Sequence, residues 1–173
     1  MNTHKLIVQS PKEIDDHLFS ILNYLKLNAN EAQLLEYSKP SKFVPEVAMC
    51  HFNAWLQLRY EGGNVQCGWI LGQDKNAFFS EAIFHTVWKS SSGQLIDVTP
   101  RVDAEEHILF IPDYSRQITL AEHKGKPAII TFDNVRLQAN IFEKSLETMK
   151  VVFESEFVHT HRLWPWTIEP RGE

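Results

Sequence analysis

Apolar residues recur at helical spacing early in the chain and in short β-rich blocks later. Ile14, Leu18, Ile21, Leu22 and Leu25 repeat at three- and four-residue intervals, the mark of an amphipathic helix. Ser10-Pro11-Lys12-Glu13 supplies a start signal, with a capping Ser, Pro at the first helical position and Glu at the third. The pattern predicts a helix over 11–26 and a shorter one over 30–37. Lys39 to Pro45 is an extended connector, because each Pro pushes its predecessor out of the helical region. A third helix is predicted over 46–61, closed by Gly62-Gly63, with Phe52, Trp55, Leu56 and Tyr60 as its core stripe.

Downstream, 65–71 and 77–88 read as strands, and Ser90-Ser91-Ser92-Gly93 as a hairpin loop returning into a strand over 94–98. Short strands are predicted over 108–111 and 128–132, then a helix over 134–153. Leu163-Trp164-Pro165-Trp166 is too apolar for a loose tail and is expected to pack back or meet a partner. Helices followed by an antiparallel sheet make an α+β layout. One domain is expected, with N-terminal helices over 1–45, a core over 46–113 and a C-terminal strand, helix and tail over 114–173.

Composition narrows the function classes. The 173 residues are 43% apolar and 23% charged, with a formal net charge of −5, ordinary for a globular protein. Lys and Arg are scattered without a basic stripe, which argues against a nucleic-acid partner. No apolar run approaches the ~20 residues of a membrane helix, and residues 1–5 lead into no apolar signal core. The expectation is a cytoplasmic protein without membrane partners. Cys50 and Cys67 are then expected as free thiols rather than a disulfide.

Cys50 falls near the start of the third helix, where the helix dipole and unpaired backbone N–H groups favour a thiolate. Its own N–H is a candidate oxyanion donor. With the hairpin centred on Ser91, His85 and Asp97 fall directly opposite one another on one face, Cβ atoms ~5 Å apart. A carboxylate at that distance orients an imidazole and stabilises its charged form.

Cys50-His51-Phe52-Asn53-Ala54, Gly62-Gly63, Gly68-Trp69, His85-Thr86-Val87-Trp88 and Ile96-Asp97-Val98-Thr99-Pro100 follow in that order. The series resembles the transglutaminase-like core of the papain-like cysteine hydrolase superfamily, and is similar to a group of small bacterial proteins sharing these segments. The resemblance covers 48–101. It implies a papain-like fold with Cys50 as nucleophile, His85 as its base and Asp97 as the orienter of His85. Many active members carry Trp beside the Cys, where this chain has Met49 and His51.

The expected activity is thiol-dependent hydrolysis or acyl transfer on an amide or ester, with a peptide, protein or small-amide substrate and no cofactor. His51, Trp69, Glu81 and Trp88 are candidates to line the cleft. His51 points about 100° around the helix from Cys50, which places it poorly as a base. Glu81 shares a strand face with His85 and is an alternative partner for it. Asn53, one turn after Cys50, is read as structural and Cys67 as core. Two other readings stand beside the enzyme: a binding domain of the same fold with a vestigial site, and a metal protein using Cys50, His51, His85 and Asp97, or His159 and His161.

Overall fold

The computed structural model describes residues 5–103, 105–154 and 156–167. It is an α+β fold of antiparallel sheets with few helices. Helix α1 spans Asp16–Leu25 and buries Leu18, Ile21, Leu22 and Leu25, the expected stripe. Its cap is Asp15 rather than Ser10: the Asp15 carboxylate accepts from Leu18 N at 3.0 Å, while Ser10 N donates to Glu105 Oε1. The helix expected over 30–37 is a single turn at Ala29–Glu31 followed by strand β1, Gln33–Glu36. Helix α2 spans Cys50–Glu61 and ends on Gly62, whose N–H bonds Leu58 O and whose φ is 72°, a backbone conformation glycine adopts without strain. Segment 46–49 lies outside the helix, so Cys50 moves to the first helical position.

Long strands β2 (Asn64–Asp74) and β3 (Phe79–Lys89) pair along their whole length. With β4 (Leu95–Ile96), β5 (His107–Pro112), β8 (Val135–Gln138) and β9 (Ile141–Lys144) they build the main sheet. Its order is β1-β5-β2-β3-β8-β9, with β4 also on β3. A second sheet, β10-β7-β6, is formed by β6 (Thr119–His123), β7 (Lys126–Phe132) and β10 (Thr148–Val152). The helix expected over 134–153 is therefore three strands. Val135 and Leu137 are buried and alternate with half-buried Arg136 and Gln138, a period of two, and Ala139 in the left-handed region (φ 51°) turns the chain. Helix α3 (Glu156–Thr160) leads into the tail.

Strand alternation divides the core. Trp69, Leu71, Ala82 and Phe84 face α1 and α2, whereas Ile70, Val87, Ile108 and Phe110 form a smaller cluster on the other face with Leu35. The tail packs back: Trp166 stacks on Phe52 at 5.9 Å, meets Trp55 edge-on and donates its indole N–H to Ala121 O.

Along the edge of β3 that faces away from β2, β8 pairs with Phe79–Ala82 and β4 with Trp88–Lys89. Between these contacts, Ile83 to Val87 has no strand partner on that side among the described residues. Helix α2 packs against β3, with His51 bonding Thr86 inside this stretch.

Gly68 lies directly across from His85. A Cβ there would stand 2.2 Å from Ile111 O and 2.5 Å from the Phe110 ring. Gly68→Ala is expected to destabilise the fold by ~1–3 kcal/mol through overpacking. Urea unfolding measures the loss, and an unchanged midpoint would refute the close-approach argument.

Candidate active site

Cys50 opens α2, with Met49 as a cap that offers no side-chain hydrogen bond. The backbone N–H groups of the first turn lack intrahelical partners, so the half-buried Cys50 thiol sits at the positive end of the helix. Burial alone would raise its pKa. The charges of His51 and His85, and hydrogen bonding by both imidazoles, override burial and pull it well below the usual thiol value.

His85 is on β3, on the side of Val87, with its ring 6.4 Å from that of Phe110. Cys50 opens α2, which packs against β3, and its thiol and the His85 ring interact. His85 Nε2 meets Asp97 Oδ1 at 3.0 Å, with His85 6% and Asp97 1% exposed. That contact leaves Nδ1 for the thiol. Burial favours the neutral ring, but the charge of Asp97, then that of Cys50, and hydrogen bonds to both raise the His85 pKa to about 10. The arrangement places the His85 ring between the Asp97 carboxyl group and the Cys50 thiol and favours the charged ring.

The hairpin register differs from the expected one. Trp88 pairs with Ile96 and Lys89 with Leu95, so the turn centres on Ser92 and Asp97 falls opposite Val87. The shift is two residues, and a period of two preserves the face. His85 and Asp97 are diagonal neighbours, still within reach of their side chains. Asp97 is also held by Thr99 N, which donates to Oδ1 at 3.2 Å, and by Ser38 N, which donates to its carbonyl at 2.8 Å. Tyr37, at the end of β1, forms a parallel bridge to Asp97; burial, then the Asp97 charge, raises its phenol pKa.

Of the cleft candidates, only His51 reaches the thiol. The 100° turn of one helical residue does not carry its ring away, because the side chain folds against β3, where Nδ1 bonds Thr86 Oγ1. Thr86 follows His85 on the strand and so points to the opposite face, the side on which it bonds His51. Trp69 is wholly buried, its indole N–H donating to Asp113 Oδ2 at 2.9 Å, so it walls no open cleft. Trp88 donates to Gly62 O at 2.8 Å, at the far end of α2, about 17 Å along the axis from Cys50. Glu81 lies four residues along β3, about 13 Å from His85, and pairs with Arg136 at 3.2 Å.

Cys67 is on β2, its Sγ 3.4 Å from Thr86 Oγ1. Burial pushes its thiol pKa up, opposite to Cys50. With Trp55, Val65, Thr86 and Ile118 it lines a cavity of about 180 Å³. Both cysteines are free. Among the described residues no group of three or more His, Cys, Asp or Glu is arranged to hold a metal ion, and no helix is long and apolar enough to cross a membrane.

Comparison of the chain with protein-family models, curated proteins and solved structures finds no match. The chemistry of the site rests on its own geometry.

Because the His85 pKa lies above its ordinary 6.5, the stability this pair contributes is complete below about pH 6.5 and fades as pH rises through about 10. Asp97→Asn is expected to lose more stability at pH 6.5 than at pH 10, read by denaturant unfolding. An equal loss at both would show that the charge pair is not the cause.

Proposed function

We propose that the protein is a thiol-dependent hydrolase or acyltransferase acting on an amide or ester, with Cys50 as nucleophile, His85 as acid and base, and Asp97 as the orienter of His85. The observation that carries this reading is the buried 3.0 Å His85–Asp97 contact beside a helix-opening cysteine. The resemblance of the 48–101 motifs to a transglutaminase-like core supports the same assignment, as does the α+β layout.

In this mechanism the Cys50 thiolate attacks the carbonyl carbon and the negative charge moves to the carbonyl oxygen. Backbone N–H groups of the first turn of α2, that of Cys50 among them, are the donors this reading assigns to such an oxyanion. Part of the His85 proton affinity comes from the Cys50 charge, and that charge disappears as the C–S bond forms. The imidazolium then becomes a stronger acid just as the leaving amine or alkoxide needs its proton. Water or an amine, deprotonated by the now neutral His85, attacks the thioester and releases Cys50. Asp97 holds the ring in place throughout, and His51 adds a second imidazole beside the thiol.

Iodoacetamide at pH 7 is expected to alkylate Cys50 at least about tenfold faster than Cys67, since a thiolate and not a thiol reacts. His85→Ala should bring Cys50 down towards the Cys67 rate. Equal, slow labelling of both cysteines would favour a binding domain that keeps the fold without turnover.

A further inference from the structure

Asn53 is fully buried, one turn after Cys50 on α2, and its amide is fully used. Oδ1 accepts from Glu46 N at 3.1 Å, while Nδ2 donates to Glu46 O at 2.8 Å and to Thr99 Oγ1 at 3.2 Å. The Glu46 contacts clamp the turn that delivers Cys50 to the helix. That turn holds Ala48 at φ 62°, a left-handed conformation that a non-glycine residue keeps only when its surroundings enforce it.

The Thr99 contact reaches the other half of the site. Thr99 N donates to the same Asp97 oxygen that meets His85. A closed path therefore runs from Cys50 to His85, Asp97, Thr99 and Asn53, then back through one turn of α2. Every member other than Cys50 is at most 6% exposed.

We propose that Asn53 and Thr99 are positioning residues of the thiol site: their side-chain hydrogen bond fixes the spacing between the nucleophile helix and the strand end that carries Asp97. The inference rests on Cys50 and His85 being the reacting pair. Buried polar side chains spent on one cross-element bond give the site a defined separation that apolar packing, which is non-directional, does not. The groups facing Cys50 and its partners are His51 on α2, His85 on β3, Cys67 on β2, Asp97 after β4, and Tyr37 at the end of β1. None of these is altered by a change at Thr99.

The test is the pH profile of Cys50 alkylation by iodoacetamide in the full chain. Thr99→Val keeps the shape of the side chain and the backbone N–H to Asp97, and replaces the hydroxyl that accepts from Asn53 with a methyl group. It is expected to raise the midpoint pH of Cys50 reactivity and slow alkylation at pH 7 by about two- to tenfold, the range set by one hydrogen bond. Thr99→Ser, which retains the hydroxyl, should restore the wild-type midpoint. A lower melting temperature in Thr99→Val with an unmoved midpoint would overturn the proposal, because a merely structural bond has that effect. His85→Ala is run alongside: if it slows alkylation while Thr99→Val does not, the positioning role alone is refuted. If His85→Ala itself has no effect, the catalytic reading beneath it fails.

Discussion

Strand β3 pairs with β2 over its whole length on one side but is handed from β8 to β4 on the other. That interruption is the constraint on which the site depends. A fully paired strand would seal His85 from anything on the helix side, since alternate residues face opposite ways. With Ile83 to Val87 lacking a strand partner on one edge among the described residues, a thiol from the helix layer meets an imidazole from the opposite face. The sheet gives up a few ladder bonds there and gains a junction between two otherwise separate apolar clusters.

Electrostatics then does what packing cannot. An imidazolium buried beside Phe110 is costly on its own, and so is a buried carboxylate. Each is tolerable because the other is 3.0 Å away, and the thiolate at the start of α2 supplies a second counter-charge. Cys67 carries the same functional group, one strand away and without such neighbours, and its proton is held more tightly. Two cysteines of one chain are thereby driven in opposite directions by location alone.

Much of this was legible in the residues. The apolar stripe of α1, the glycine that ends α2 and the two long strands followed from periodicity and turn chemistry. So did the common face of His85 and Asp97, although the turn centres one residue later than expected; parity survived where register did not. The 134–153 segment misled because its polar residues suit a helix, while Val135 and Leu137 bury themselves two apart against a sheet that local sequence does not reveal. Helix geometry places His51 poorly as a base and leaves it only a cleft candidate, because it fixes the direction of a Cα–Cβ bond but not where a long side chain ends. Thr86 and Thr99 were missed because nothing local marks a hydroxyl whose partner lies far away in sequence.

The anchoring of Asp97 has a dynamic consequence. Its carbonyl is tied to Ser38, just beyond β1, and β1 is the outermost strand of its sheet, with β5 as its strand partner. Edge strands open at lower free energy than the interior. Fraying of β1 would release one tether of the segment that carries the Asp97 carboxyl while α2, β2 and β3 stayed folded, so the order of the site is coupled to local opening at the rim of the sheet.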